Sequence, residues 1–321
     1  MKLEVRPYRL RLASAVRGTS ERVGFVVRVL DGARTGLGEA AIVPEVGTET
    51  LEEAERALAR APLRLDELDA LASCPAARHG IELALLDLAA QREGVPLARL
   101  LAPQAPLQIP VSALLVAQAL PELAGEARRA VAEGFLTVKI KVGREDACAR
   151  ARTVRDAVGP RVRLRIDANG AWSLAQALRL LHQLAPLDLE LCEQPTISLE
   201  GLDGSPVPIA ADELVVAAPE LALQRAQVLV LKPMALGGLL PALRWAVRAR
   251  ELGRAVLVTT SLDGAIARAG AAHLAAAVLA DGPQPAAGLA TGRLLLDDVC
   301  ADALAPLGGF VTLRSVPGLG L

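Results

Sequence analysis

Five charged residues lie along the middle of the chain at separations of 26, 26, 19 and 20 residues, about one β/α unit each. Each stands at or next to the end of a short apolar run typical of a β-strand: Lys141, Asp167, Glu193, Asp212 and Lys232. In a parallel barrel all strands end on one face, so these side chains are predicted to surround one cavity. Three carboxylates there repel each other unless a cation is present, and oxygen ligands suit a hard ion such as Mg²⁺. The lysines supply a base that can remove a weakly acidic proton beside a substrate carboxylate.

Lysine is scarce in this sequence, which contains 31 arginines but only four lysines: Lys2, Lys139, Lys141 and Lys232. A lysine that persists in such a chain is expected to do what arginine cannot, because lysine can lose its proton in proteins and arginine does not. Residues two apart on a strand share a face, so Lys139 is predicted to point the same way as Lys141. By the same rule Arg165 and Asn169, the only asparagine, share a face with Asp167. The second positive charge and the nearby cation favour a neutral amine on Lys141.

The elements that must position these residues begin at about Leu107, where short apolar runs alternate with helical stretches. The predicted strands are IPVSALLV, LTVKIKV, RVRLRIDAN, LDLELCEQP, VPIAADE, VLVLKPM, AVLVTTS and a weak one near AAGLATG. Eight such runs over about 190 residues predict a (β/α) barrel. A doubly wound parallel sheet is the competing prediction, because the number of strands does not separate the two folds.

The first third of the chain predicts a smaller α+β unit. Two strands are expected within residues 1–31, and GLGEAAIVPEVGTET after them is expected to form a loop. Helical periodicity follows in LEEAERALARA and in RHGIELALLDLAAQREG, which ends at Gly94 before Pro96.

Composition argues against several classes of partner. The 35 Lys+Arg balance 36 Asp+Glu, and three Phe, two Trp and one Tyr offer few stacking residues, so nucleic acid is not expected. The longest charge-free run, residues 100–121, contains four prolines and is a poor membrane span. The first residues lack the apolar core of a signal peptide, and the four cysteines show no metal or redox spacing. A cytoplasmic protein that acts on a small carboxylate is expected, and a homo-oligomer is compatible with the sequence.

A family resemblance rests on five motifs in a fixed order: VKIKVG, RIDANGAW, ELCEQP, IAADE and VLKPMALGG. Together they resemble the enolase superfamily, specifically its muconate-lactonizing-enzyme subgroup, and the similarity covers essentially the whole chain. It implies an α/β fold, a modified (β/α)7β TIM-type barrel with an N-terminal α+β capping domain. Residues 1–106 would form the capping domain, completed by residues 300–321, and residues 107–299 would form the catalytic barrel.

The same resemblance implies roles for the site residues. Three acids would bind Mg²⁺: Asp167, Glu193 and Asp212. Mn²⁺ could substitute for Mg²⁺ at the same site. Lys141 would be the base on one face of the substrate, and Lys232 would act on the opposite face as acid, base or cationic stabiliser. Lys139 and Asn169 would support these groups, and Glu213 would orient Lys232 or a metal ligand.

Within the subgroup, the chain most resembles the o-succinylbenzoate synthases. Arg165 stands where many of them have an arginine, and AGLATGRLLLDDV resembles their Gly-Leu-x-Thr-Gly run. An inward arginine paired with a barrel carboxylate is an equal alternative for Arg165. The implied reaction, in menaquinone biosynthesis, is the syn dehydration of a succinyl-hydroxycyclohexadiene carboxylate through an enediolate. Lys141 would remove the α-proton and then protonate the departing hydroxyl.

The substrate-binding end departs from the family pattern. After the seventh strand the chain reads TTSLDGAIARAG, where relatives often have a Ser-rich run with a Glu, so Ser261 and Asp263 are the candidates there. By family analogy, residues 13–20 and 42–46 are expected to close over the substrate. Arg17 is the candidate carboxylate contact in the first of these segments.

Other functions stay open at this point. Dipeptide epimerases and N-acylamino acid racemases share the two-lysine arrangement, although no Asp-x-Asp pair of the kind that grips a dipeptide amine occurs near the eighth strand. A Schiff-base aldolase that uses Lys232 is a different class of enzyme. A barrel retained only for binding is the remaining alternative.

Overall fold

The structure is a computed structural model that describes residues 1–16 and 18–321. Within these ranges no helix has both the length and the apolar character needed to cross a membrane. The described chain forms one antiparallel sheet near its start, followed by a curled parallel sheet with helices between the strands.

The N-terminal sheet has three antiparallel strands in the order β1 (Lys2–Val16), β2 (Thr19–Asp31) and β3 (Arg34–Ile42). Three helices follow, and the long second one packs against β3: α1 (Leu51–Leu58), α2 (Pro75–Glu93) and α3 (Leu97–Leu101). The expectation of a loop at the GLGEAAI segment is wrong, because these residues are in β3. Its glycines permit close packing, since a Cβ on Gly38 would lie 1.9 Å from the carbonyl oxygen of Gly80 in α2.

After a short strand, β4 (Gln108–Pro110), seven parallel strands follow in chain order. They are β5 (Ala113–Leu115), β6 (Thr137–Lys141), β7 (Arg163–Asp167), β8 (Leu189–Glu193), β9 (Ile209–Ala211), β10 (Val228–Leu231) and β11 (Ala255–Val258). Each strand pairs with the next, without the reversal of order that defines a doubly wound sheet. The predicted modified barrel with an N-terminal α+β cap is therefore confirmed, and the doubly wound alternative is wrong.

Seven helices connect these strands or follow the last of them. They are α4 (Leu120–Ala132), α5 (Ala147–Val158), α6 (Leu174–Leu184), α7 (Glu213–Ala217), α8 (Pro219–Arg225), α9 (Leu239–Glu251) and α10 (Ala265–Leu279). The weak strand predicted near AAGLATG is present only as isolated bridges, in which Ala287 pairs with Val111 and Gly288 with Thr259. These bridges link the two edges of the curled sheet.

A small apolar cluster lies inside the curled sheet. It contains side chains from four neighbouring strands: Leu191, Ala210, Val228, Val230 and Leu257. Three of them stand two residues before Glu193, Asp212 and Lys232, so they form the layer beneath those groups.

The last strand, β12 (Phe310–Thr312), pairs antiparallel with β4. Beyond it, the backbone N–H of Leu319 donates to Asp87 of α2 at 2.8 Å. The C-terminal segment therefore contacts both the start of the barrel and the N-terminal unit. The domain division at residues 106 and 299 stays a prediction.

Candidate active site

A cavity of about 550 Å³ opens at the carboxyl ends of the parallel strands, beneath residues of the N-terminal unit. Most of the predicted site residues line it: Lys139, Lys141, Asp167, Asn169, Glu193, Asp212, Lys232 and Ser261. Arg165, Glu213 and Asp263 lie outside the lining, and Arg17 is outside the described residues. Both segments expected to close over the substrate contribute to the lining, the first through Ser14 and the second through Val43, Glu45 and Val46.

Strand register brings the charged residues together. Lys141, Asp167 and Glu193 are direct neighbours across β6, β7 and β8. Asp212 follows β9 and Lys232 follows β10, so all five stand at one edge of the sheet. We call this set, with Lys139, the strand-end wall of the cavity.

Lys139 and Lys232 are both tied to acids. The Lys139 ammonium lies 2.9 Å from Asp167 Oδ2 and donates to Glu193 Oε1 at 2.6 Å. Lys232 Nζ lies 2.5 Å from Asp212 Oδ1 and donates to Oδ2 at 2.6 Å. Lys141 Nζ, in contrast, makes no hydrogen bond or ion pair with the described residues, although its charge acts on Asp167. Lys141 is therefore the lysine of the wall whose amine is not held by a carboxylate.

The three acids are each at most 3% exposed, and burial is the largest influence on the pKa of Glu193 and on that of Asp167. Burial, together with the charges of Asp167 and Asp212, raises the pKa of Glu193 to about 8 despite Lys139 beside it. Burial also acts to raise the pKa of Asp167, but Lys139 and Lys141 outweigh it and bring that pKa below its ordinary value. The wall is thus a place where additional positive charge is favourable.

The donor set fits a hard divalent cation. In the described part of the chain, no three His, Cys, Asp or Glu side chains meet as a ready-made metal cluster, and the Lys139 ammonium contacts both Asp167 and Glu193. Glu193 Oε2 is nevertheless buried without a hydrogen-bond partner among the described residues. Three neighbouring carboxylates with such an oxygen form the hard oxygen environment that Mg²⁺ prefers.

Two polar residues with positive φ hold the turns after β7 and β8. Asn169, at φ 46°, donates its backbone N–H to Asp167 Oδ1 at 3.0 Å and its side-chain amide to Glu213 Oε1 at 3.2 Å. Gln194, at φ 40°, accepts from the backbone N–H of Asp212 at 2.8 Å. Sequence reasoning missed Gln194, although it stands in the ELCEQP motif directly after Glu193.

Arg165 forms an ion pair inside the barrel, as the alternative prediction for this residue expected. It is fully buried, and its guanidinium pairs with Glu190 and donates to the carbonyl oxygen of Ala286 at 2.7 Å. The register between β7 and β8 shifts at this point, because Leu164 pairs with Leu189 but Arg165 pairs with Leu191. Glu190 is therefore the extra residue of a β-bulge. A bulge redirects its side chain, which lets Glu190 meet the arginine.

The loop after β11 is fastened to the N-terminal unit by Glu39 of β3. This buried carboxylate accepts from the backbone N–H of Gly264 at 2.6 Å, the N–H of Ala267 at 2.9 Å and the hydroxyl of Tyr8 at 2.8 Å. Sequence reasoning missed Glu39, because its segment was expected to be a loop. Behind it, burial and the charge of Glu39 raise the pKa of Asp263 to about 7.

A second group of lining residues lies outside the strand-end wall. We call it the cap-side wall, and its residues belong to β2 and to the loop after β11: Arg22, Thr260, Ser261 and Leu262. Arg22 is 6% exposed and was not among the predicted residues. A single arginine in a strand pattern carries no signal that separates it from surface arginines.

Comparison with protein families matches residues 122–321 to the model described as enolase C-terminal domain-like. Residues 7–88 match the model described as MenC, N-terminal domain. The first of these matches covers more than half of the chain.

Among curated proteins, an o-succinylbenzoate synthase of Thermobifida fusca is 42% identical over 205 residues, which are 60% of this chain and 63% of that protein. An L-Ala-D/L-Glu epimerase of Clostridium acetobutylicum is 34% identical over 220 residues, 62% of this chain and 59% of that protein. The chain thus matches about six tenths of the length of each relative.

Among solved structures, a dipeptide epimerase of Enterococcus faecalis, in complex with Mg and the dipeptide L-Leu-L-Tyr, has a TM-score of 0.88 at 28% identity. The alignment covers 99% of this chain and 98% of that one. A muconate lactonizing enzyme of Pseudomonas fluorescens, complexed with muconolactone, has a TM-score of 0.86 at 25% identity, over 100% and 95% of the two chains.

Proposed function

The chain belongs to the enolase superfamily and its muconate-lactonizing subgroup, and from that premise we propose that it is an o-succinylbenzoate synthase. The observation that carries the proposal is the strand-end wall, where three buried carboxylates stand between Lys141 and Lys232 in one cavity. The proposed reaction is the Mg²⁺-dependent syn dehydration of a succinyl-hydroxycyclohexadiene carboxylate to the aromatic succinylbenzoate. The 42% identity with the T. fusca synthase supports this substrate.

The metal would be held by Asp167, Glu193 and Asp212, whose burial and charge suit it. When bound, it supplies the positive charge that stabilises an enediolate formed from the substrate carboxylate. Lys139, in contact with two of these acids, keeps them oriented towards the cavity.

Lys141 and Lys232 have different roles in the proposed reaction. Lys141 on β6 has an amine without a carboxylate partner among the described residues, so it takes the α-proton and returns it to the hydroxyl that leaves from the same face as water. Lys232 stands four strands away, which in an eight-unit barrel is the opposite side. Held by Asp212, it remains a cation across the ring and stabilises the negative charge that develops there.

A dipeptide epimerase or N-acylamino acid racemase is the second candidate. It is favoured by the likeness to the C. acetobutylicum and E. faecalis epimerases, and by the presence of a lysine on each side of the cavity. Such a reaction removes a proton on one face and returns it on the other, so Lys232 would have to release its proton as readily as Lys141.

The test is to incubate purified protein and Mg²⁺ with the cyclohexadiene substrate and to follow the loss of its absorbance. We expect turnover that EDTA abolishes and that Mg²⁺ restores. Absence of turnover, together with deuterium exchange into an N-succinyl amino acid or a dipeptide, would replace the synthase by the second candidate. Borohydride trapping of substrate on Lys232 with EDTA-insensitive turnover would point instead to Schiff-base chemistry.

A further inference from the structure

The cap-side wall contains polar groups that the chemistry at the strand ends does not use. Arg22 on β2 lines the cavity and is 6% exposed. Ser261, 7% exposed, also lines it, and its hydroxyl has no hydrogen-bond partner among the described residues. A buried hydroxyl without a partner costs free energy, so a ligand atom that bonds to it is favoured.

One other arginine of the described cavity lining, Arg150, is bonded to the backbone around it. The guanidinium of Arg150 donates to the backbone carbonyl oxygens of Lys141, Gln118 and Ala117 at 3.1, 2.9 and 3.0 Å. Those bonds fix the strand ends and use all three guanidinium nitrogens. Arg22 lines the same cavity from β2 and places an arginine charge on its cap side.

The serine of this wall is positioned by an acid behind it. Asp263 Oδ1 accepts the backbone N–H of Ser261 at 3.2 Å, and Asp263 itself stays outside the cavity lining. Arg22 is near enough for its charge to act on Asp263. Asp263, the residue that departs from the family pattern, thus orients Ser261 without placing a negative charge in the cavity.

We propose that Arg22 and Ser261 form a subsite for a second carboxylate of the substrate, remote from the carbon that loses its proton. A guanidinium fork binds a carboxylate through two parallel hydrogen bonds, and the serine hydroxyl donates a third. The cavity volume of about 550 Å³ holds a ring together with such an arm. The inference rests on the proposed function, in which the succinyl arm carries this carboxylate.

The test compares the dicarboxylate substrate with an analogue whose succinyl carboxylate is a neutral amide. We expect Arg22→Gln to lower kcat/KM for the dicarboxylate by about 10- to 100-fold, the size of a lost charged hydrogen bond, and Ser261→Ala to lower it by less. For the amide Arg22→Gln should stay within about 3-fold of the wild type, because the charge that its guanidinium would pair with is already absent. Arg22→Lys should recover part of the loss.

The matched control is Arg28→Gln, which removes an arginine from the exposed side of the same strand and should alter neither substrate's kcat/KM. Equal losses on acid and amide in Arg22→Gln would overturn the subsite and assign Arg22 a structural role. If Arg22→Gln does not fold, the same comparison in Arg22→Lys and Ser261→Ala decides.

Calorimetric binding of 2-succinylbenzoate and of its amide separates this inference from the proposed function. Wild-type protein that binds the acid more tightly than the amide, with the preference lost in Arg22→Gln, supports the subsite even if the cyclohexadiene is not turned over. If the cyclohexadiene is turned over but the protein binds the acid no more tightly than the amide, the proposed synthase function is supported and the subsite is contradicted.

Discussion

The two walls of the cavity are built on different principles. In the strand-end wall, charged groups are crowded, and two of the three lysines are clamped to acids at 2.5–2.9 Å. In the cap-side wall, charge is sparse, and the Ser261 hydroxyl is buried without a partner among the described residues. The first wall holds its own groups in place and suits a reaction common to many substrates. The second leaves polar atoms for a ligand and suits discrimination among them.

This contrast predicts that changes in the strand-end wall abolish chemistry, and the largest effect is expected for Lys141→Ala. Loss of a general acid–base group costs about 10²–10⁴-fold in kcat, and here one group performs both proton transfers. The measurement is kcat with the cyclohexadiene substrate at saturating Mg²⁺. Lys2→Ala, which removes an exposed lysine of the N-terminal strand, is the control and should leave kcat unchanged.

A Lys141→Ala variant with kcat near that of the wild type would contradict the proposed roles of Lys141 as the acid–base group and Lys232 as the stabilising cation. An unchanged far-UV spectrum and melting temperature should accompany the loss, because the Lys141 amine makes no bond with the described residues.

The same contrast explains what the sequence could predict. The strand-end wall follows from strand register, which places residues about one β/α unit apart at the same edge, so Lys141, Asp167 and Glu193 could be found by spacing alone. The cap-side wall depends on how β2 and β3 meet the barrel, a contact between residues more than 200 positions apart. Glu39 and Gly264 show this, since neither segment carries any local sign of the other.

Smaller errors have equally local physical causes. The glycines of β3 weaken its strand signal, but they are there because α2 packs against them. Arg165 was ambiguous because the bulge at Glu190 cannot be predicted from alternation, which places Glu190 on the other face of its strand.

The second prediction concerns the acids of the strand-end wall. Mg²⁺ at about 100 times its Kd should stabilise the wild type by about 2.7 kcal/mol, which at about 2–4 °C per kcal/mol raises Tm by several degrees. In Glu193→Gln this increase should largely disappear, because an amide cannot give the metal a carboxylate oxygen at the buried position that lacks a partner among the described residues. The measurement is Tm with and without Mg²⁺ by calorimetry.

Glu133→Gln, at an exposed position at the end of α4, is the matched control and should keep the full Mg²⁺ effect. An equal rise in Tm in Glu193→Gln and in the wild type would place the cation outside the strand-end wall.

The third prediction concerns the cap-side wall and uses the variant Glu39→Gln. The amide keeps one acceptor oxygen where the carboxylate accepted three hydrogen bonds, so at least one donor at the start of α10 loses its partner. We expect the free energy of unfolding to fall by about 1–3 kcal/mol, and KM to rise more than kcat falls, since the loop that carries Ser261 is loosened. Urea unfolding and steady-state kinetics measure the two effects.

Glu220→Gln, which removes one partner of an exposed ion pair with Arg248, should change the free energy of unfolding by less than about 1 kcal/mol. A kcat loss in Glu39→Gln as large as that of Lys141→Ala would contradict the separation of the two walls.

The last prediction concerns Asp263, and it appears as a pH dependence of stability. Burial and the charge of Glu39 raise its pKa from 3.8 to about 7, so between these values the folded protein binds a proton that the unfolded chain has released. Stability must therefore fall as pH rises from about 4 to 7 and then level off above 7. Asp263→Asn keeps an oxygen that can accept the N–H of Ser261 but has no proton to lose.

In Asp263→Asn the slope of unfolding free energy against pH should decrease by up to the equivalent of one proton between pH 4 and 7, and the variant should gain stability above pH 7. Asp156→Asn, an exposed aspartate on α5, should leave the slope as it is in the wild type. A slope unchanged in Asp263→Asn would mean that the carboxylate is ionised throughout. The buried loop of the cap-side wall would then carry a permanent negative charge beside Arg22, which would weaken rather than favour the binding of an anionic arm.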